Sequence, residues 1–336
     1  AYNSGALTVD NVTVNVKASP SGVFTNFVGG MVGYVADATS DVSFTNSTVT
    51  ADLTYNAGTT SRDCTVLGGV IGLVDGVDSK PNVGTGIKFN NVTVSGTITD
   101  NHNGSNARVG GLIAEVRGKA EEVSYNTKHN NIFITDVNIN KLTINANGKV
   151  NNSGGFFGHN WYRVEVTLDS LTVNECHLNV TKGTELGGLV LSTTGYWKIS
   201  KVNFAGTEVN APMVNRYGML AATLFGRSSD PYGFNYQTGA AGSGYKCLSD
   251  ATYFEFITPN GYNITDTTIK IKSSYTMFDE IAARSLKESS EFVSSAQAII
   301  SIPAVNENGD YLVDMDGVHC NTYQNQTKNG TANWRP

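Results

Sequence analysis

Residues 68–72 read Gly68-Gly69-Val70-Ile71-Gly72. The same pattern, two glycines, two apolar residues and a small one, stands upstream as Gly29-Gly30-Met31-Val32-Gly33. Downstream it returns as Gly110-Gly111-Leu112-Ile113-Ala114 and Gly154-Gly155-Phe156-Phe157-Gly158. A fifth copy, Gly187-Gly188-Leu189-Val190-Leu191, ends on leucine, and Gly218-Met219-Leu220-Ala221 reads as a decayed sixth. First glycines at 29, 68, 110, 154 and 187 lie 39, 42, 44 and 33 residues apart. A period of this size is one supersecondary unit that cannot bury its own apolar face, so successive units must stack.

Between the glycine pairs runs a second recurring element. Val42-Ser-Phe44 leads through Val49, Ala51 and Leu53, and Ile87-Lys-Phe89 leads through Val92, Val94 and Ile98. Ile132-Phe-Ile134 with Val137-Asn-Ile139, Val164-Glu-Val166 with Leu171-Thr-Val173, and Ile199 with Val202-Asn-Phe204 continue the series. Alternation with period two in Val, Ile, Phe and Thr is strand chemistry, with apolar residues inward and Thr, Asn, Ser or Lys outward. Helical repeats are excluded because residues 1–227 lack sustained 3.6-residue periodicity. Propeller blades are excluded because their Trp-Asp and Gly-His signatures are missing.

Composition agrees. Of 336 residues 36 are glycine, 40% are hydrophobic and only 15% charged, against about 25% charged in an average soluble domain. In stacked units like residues lie over one another about 4.8 Å apart, and ladders of like charge repel. Lys plus Arg at 23 against Asp plus Glu at 29 gives a net charge of −6, which excludes a basic nucleic-acid face. No apolar run is long enough for a membrane span. The expected fold is therefore all-β: a parallel β-helix, or β-solenoid, of five to six repeat units over residues 1–227. The Gly29-Gly30, Gly68-Gly69, Gly110-Gly111, Gly154-Gly155 and Gly187-Gly188 pairs are its structural glycines, placed where a backbone turns or approaches too closely for a Cβ.

The Gly-Gly-apolar-apolar-Gly copies, each followed by a Val/Phe strand, resemble the GGLVG repeat regions of large bacterial extracellular β-helix surface proteins and adhesins. The resemblance covers residues 1–227, and the fifth and sixth copies depart from it at Leu191 and at Ala221-Ala222. It implies the architecture, and a surface location.

Residues 228–336 differ in texture and are expected to form a C-terminal cap or small α+β region, which an open solenoid end requires. Residues 226–250 read as a long loop. Phe278, Ile281, Ala282, Leu286 and Phe292 fall at helical spacing, which predicts one helix near 278–297. Tyr311-Leu-Val313 is expected to pair with the short strand Ala298–Ile302. At the other end, Ala1-Tyr2-Asn3-Ser4 lacks a signal-peptide pattern and is expected to be either a mature end after signal removal or an internal cut. Leu7 to Val16 is already a full-pattern strand, so units are expected to continue upstream or to stack on another chain.

Few residues suggest chemistry. The glycine pairs lack the Lys-Ser/Thr and the helix of a phosphate loop. Cys64, Cys176, Cys247 and Cys320 have no metal spacing, and no metal or cofactor is expected. Cys64 and Cys176 fall in non-adjacent units, whereas Cys247 and Cys320 share the C-terminal region and are the pair able to form a disulfide. The turns Asn306–Asp310 and Asp314–Gly317 fail the calcium-loop spacing. A polysaccharide-cleaving β-helix would use clustered charges, for which Arg62-Asp63, Arg108 with Glu115 and Arg117, and Glu121-Glu122 are candidates. Asn-x-Ser/Thr sequons, among them Asn11, Asn46 and Asn91, are about as frequent as chance gives; a used one makes the chain a glycoprotein. Trp161, Tyr162, Tyr196, Trp197, Tyr232 and Tyr236 sit in turn-rich positions. They either stack on a ligand or cover the ends of the core.

The expected function is that of a non-catalytic extracellular structural or adhesive solenoid, a segment of a larger cell-surface or filament protein. Its partners would be a glycan or protein ligand, or neighbouring copies. The alternatives are a polysaccharide-active β-helix enzyme, a lyase or hydrolase, and a phage or viral fibre segment.

Overall fold

A computed structural model describes residues 2–3, 5–20, 26–36, 41–56, 64–77, 86–102, 106–118, 129–147, 155–161, 164–181, 185–193, 196–210, 216–218, 221–224, 253–256, 262–265, 268–272, 277–278, 310–314, 326–328 and 331–333. Among them every regular element is a β-strand. The strands form one 16-stranded sheet, one 7-stranded sheet, two 3-stranded sheets and one 2-stranded hairpin. Pairing is parallel throughout except in that hairpin and at Thr268–Lys272, which pairs antiparallel with Asp310–Asp314.

The large sheet is built from one strand, or one run of short strands, per repeat. Val42–Tyr55 lies between Leu7–Asp10 with Thr13–Ala18 on one side and Ile87–Asp100 on the other. Its register to Ile87–Asp100 runs from Val42 opposite Ile87 to Tyr55 opposite Asp100. Each of the first four tiers bends where the apolar alternation breaks. The bend residues Asn11, Asn46, Asn91 and Asp136 all have φ between 49° and 54°. Asn and Asp tolerate this left-handed region better than other non-glycine residues. The bend divides each tier into a short arm, such as Val42–Thr45, and a long arm, such as Thr48–Tyr55.

Amide side chains tie the bends together. Asn91 Nδ2 donates to Asn46 Oδ1 at 2.9 Å and Asn46 Nδ2 to Asp10 Oδ1 at 3.1 Å. At the far end of the long arm, Asn101 donates to Asn56 at 2.6 Å and Asn147 to Asn101 at 3.0 Å. A second left-handed column at Lys141, Glu175 and Gly206 bends the later tiers again, following a register shift after Ile139.

The glycine pairs lie between two strands that pack closely. Cys64–Gly68 pairs in parallel with Asn26–Gly29 and Asn106–Gly110. Ile71–Val77, after the pair, joins the seven-stranded sheet. A Cβ on Gly68 would lie inside contact distance of the Ile71 carbonyl, and one on Gly69 would overlap the Gly111 carbonyl and sit 2.8 Å from Val94 Cγ1. The pairs also hydrogen-bond from tier to tier, Gly69 N to Gly110 O at 3.0 Å and Gly111 N to Gly155 O at 3.1 Å. The decayed sixth copy keeps register, with Gly218 opposite Gly187 and Ala221 opposite Val190.

Inward residues fill the space between the large and the seven-stranded sheets in columns. Val42, Ile87, Ile132, Val166 and Trp197 stack in one column, all fully buried. Phe44 lies over Phe89 with ring centroids 5.2 Å apart. Full burial of each such side chain contributes about 1.5–3 kcal/mol. The partly buried residues packed on this core, Leu7, Val9, Val16, Ala18, Val28 and Met31, all belong to the first tier.

Two features differ from the sequence reading. The parallel ladder runs past residue 227: Tyr253–Phe256, Tyr262–Thr265 and Thr268–Lys272 pair with Tyr196–Ile199, Val202–Ala205 and Glu208–Asn210. The intervening sequence hid the continuity, because the glycine pair that marks each earlier unit is missing there. Asp310–Asp314 takes Thr268–Lys272 as its partner, while Ala298–Ile302 falls outside the described residues, as does nearly all of the expected helix, 279–297; Phe278 closes the short strand Met277–Phe278.

Replacing Gly69 with alanine forces its backbone neighbours apart and is expected to destabilise the chain by about 3 kcal/mol. Gly5→Ala, whose Cβ would meet nothing within 4 Å, is expected to stay within about 0.5 kcal/mol. Chemical denaturation of both variants beside the parent checks this.

Candidate functional site

The long arm presents its outward residues in ranks that cross the tiers. Thr13, Thr48, Thr93, Asn138, Thr172 and Asn203 are consecutive register partners, and the next tier places Asn263 in line. Two residues further along, Asn15 pairs with Thr50 and Thr50 with Ser95, and Asn140 pairs with Asn174 and Asn174 with Ala205. The third rank is Lys17, Asp52, Thr97, Thr143, His177 and Glu208, and it contains the charged groups Lys17, Asp52 and Glu208. Thr54, Thr99, Asn145, Asn179 and Asn210 make the fourth.

These side chains bond along the ranks. Thr50 Oγ1 and Ser95 Oγ lie 3.2 Å apart, Asn174 Nδ2 donates to Asn140 Oδ1 at 3.1 Å, and Asn179 Nδ2 donates to Asn145 Oδ1 at 3.0 Å. Every residue of the first two ranks from Thr13 to Asn203 and from Asn15 to Ala205 is at least partly exposed. These two ranks thus form an array of neutral donors and acceptors, the second interrupted between Ser95 and Asn140 by the register shift after Ile139. Neither rank contains a group that titrates near neutral pH, so the array is the same over the physiological range.

A second polar cluster is interior. Asp100 ends the long arm pointing inward, in register with Tyr55 and Ala146, and it is fully buried. Its Oδ1 accepts from His102 N at 3.1 Å, and Oδ2 finds no partner among the described residues. The His102 ring is also fully buried, its centroid 5.7 Å from that of Tyr55. Burial pushes the Asp100 carboxyl up to about 7, against the lowering effect of the His102 backbone hydrogen bond. The sequence reading missed this pair, although period-two counting from Ile98 already puts residue 100 inward.

Glu115 is buried and bound bidentately by Arg117, at 2.8 and 3.1 Å. Arg117 is partly exposed, and Arg108 lies in the same unit as Glu115, on the strand Asn106–Gly110 of the three-stranded sheet. Both carboxyl oxygens of Glu115 are thus hydrogen-bonded within the fold. Arg62-Asp63 and Glu121-Glu122 lie outside the described residues, as do Tyr162, Tyr232, Tyr236, Cys247, Cys320 and Gly154.

Trp197, expected among the exposed aromatics, is fully buried and meets Phe157 edge-on at 5.3 Å. It replaces Val166 in an inward column, so it belongs to the core and offers no surface. Trp161 ends the strand Phe157–Trp161 opposite Arg117, and Tyr196 opens Tyr196–Ile199 opposite Glu165. Cys176 is a buried free thiol that donates to the carbonyls of Asn174 and Ile139 at 3.3 and 3.4 Å. Burial raises its pKa to about 11. Asn11, Asn46 and Asn91, three of the sequon asparagines, are exposed at the bends.

No family model, curated protein or solved structure matches the chain.

Two outcomes are expected. Because the folded Asp100 carboxyl titrates near 7 and the unfolded one near 3.8, the native state holds the extra proton between these values. Stability is then full below about pH 4, falls as pH rises towards 7 and is level above it, with a total change on the order of 4 kcal/mol. Asp100→Asn keeps an Oδ1 acceptor and removes this fall, which melting curves of the variant and parent between pH 4 and 8 measure. Separately, Cys176 in the native protein resists iodoacetamide at pH 8 and is alkylated only after denaturation, as peptide mapping reads out.

Proposed function

We propose that this chain is a non-catalytic extracellular adhesive or structural segment folded as a β-solenoid, with one coil per repeat unit. The observation that carries the reading is the rank Thr13, Thr48, Thr93, Asn138, Thr172 and Asn203. One residue per tier, over consecutive tiers, keeps the same short neutral chemistry on an exposed sheet face. A catalytic centre concentrates different groups at one level of a fold. Repetition of one group over many levels suits a surface that is itself repetitive, or a rod that displays ligands along its length. The in-register glycine pairs and the amide ladders supply the stiffness such a rod needs. The resemblance of the glycine repeats to those of bacterial surface proteins supports the extracellular location.

The test pairs a glycan array with a depolymerisation assay. Retention of the chain on glycan spots, with no new reducing ends released from polysaccharides, is the expected result. Turnover that disappears in Glu115→Gln or Arg117→Ala would establish the enzymatic alternative in its place.

A further inference from the structure

We infer that the outward face of the long arm binds a neutral polysaccharide chain lying along the stack, with one sugar residue over each tier. The inference rests on the adhesive reading above and assigns it a face and a ligand class.

Three properties of the face select this ligand. Its first two ranks carry no charge from Thr13 to Asn203, so an acidic polymer gains no ion pair there and would have to shed its hydration. The ranks consist of hydroxyls and amides on short side chains, with only Ala205 lacking a polar group. A protein sheet or helix docking on it would need apolar side chains to bury. A hydroxyl-bearing polymer meets donors and acceptors in kind, and the threonine methyls meet the C–H surface of its rings. The third property is the repeat. Tiers are about 4.8 Å apart, close to the span of one pyranose in an extended chain. Side chains two residues apart on a strand stand about 7 Å from each other, which places the first two ranks on either side of one chain.

The ranks are also positioned in advance. Thr50 with Ser95, and Asn174 with Asn140, are hydrogen-bonded to each other before any ligand arrives. Their rotamers are already restricted, so less side-chain entropy is lost on binding. Each tier contributes weakly, and affinity comes from many tiers engaging one polymer.

Affinity electrophoresis of the full chain tests this, in gels containing xylan, glucomannan, dextran or, as the acidic comparison, polygalacturonate. Retardation by at least one neutral polymer is expected, with competing oligosaccharides gaining potency steeply with length. Thr93→Lys with Asn138→Lys should weaken the retardation about tenfold, while Ser43→Lys, on the outward side of the short arm, leaves it unchanged. If the double lysine variant fails to melt cooperatively, Thr93→Val replaces it, since valine suits a strand and removes only the hydroxyl. A loss of about threefold is then expected. Retardation that survives in the face variants overturns the assignment of the face and leaves the adhesive reading standing. Retardation by polygalacturonate alone, or by no polymer, overturns the ligand class. Shortening of the polymer in the gel overturns the adhesive reading as well.

Discussion

At Gly68 and Gly69 a side chain of even one carbon would overlap backbone, and the neighbours it would strike belong to the same unit and to the next. That contact sets the terms for the remainder of the molecule. It holds the strands before and after each glycine pair against each other, and it holds consecutive units at the spacing of a hydrogen-bonded ladder. A unit that shifted by one residue would bring a Cβ into the contact and turn its apolar side chains outward at the same time. Register is therefore specified twice in every unit, once by the backbone and once by the core.

Fixed register turns single residues into columns, and each column obeys its own physics. Inside, columns of Val, Ile and Phe bury their area against one another. At the bends the column must sit in the left-handed region, so Asn and Asp fill it in the first four tiers, and Lys141, Glu175 and Gly206 fill a later one. Lys141 and Glu175 lack the short amide that eases this conformation. They are joined by an ion pair at 3.5 Å, but both side chains are more than half exposed, which leaves that pair a small contribution after screening. On the outside, a column of one charge would repel itself, and in the third rank Lys17 lies beside the opposite charge of Asp52. Asp100 departs from all of these patterns: an acid in an inward column, it keeps its place by holding a proton.

Much of the architecture was legible in the sequence because the constraint leaves a local signature. A glycine pair followed by two apolar residues is visible at a glance, and so is alternation of Val and Phe with Thr and Asn. That Tyr253–Phe256 and Thr268–Lys272 continue the parallel ladder was not legible, because a long insertion with no glycine pair separates them from the preceding unit. Trp197 was misread for a related reason. Its neighbours Tyr196 and Gly195 look like a turn, although period-two counting back from Ile199 puts residue 197 inward, as its register opposite Val166 shows. The outward ranks illustrate the opposite case. Each threonine was read as merely polar, yet Thr48 and Thr93 are 45 residues apart in sequence, and their adjacency exists only once the tiers are in register.

The space between the two tightly packed strands shows how such a repeat drifts without failing. In the first unit it holds Phe27 stacked on Tyr34 at 5.3 Å. One unit on, the register partners are Val66 and Leu73, both buried. In the third unit they are Arg108 and Glu115, with Arg117 supplying the hydrogen bonds that let the carboxylate be buried. A lone acid at that depth would be costly, as Asp100 demonstrates, whereas one with a bidentate partner is tolerated. Both facing positions change character together from unit to unit, from aromatic to aliphatic to charged, while the glycines beside them stay the same. The backbone contact is what the units share; the side chains around it need only be compatible with the unit above and the unit below. That freedom lets copies diverge until, at Gly218, only one glycine of the pair remains in register.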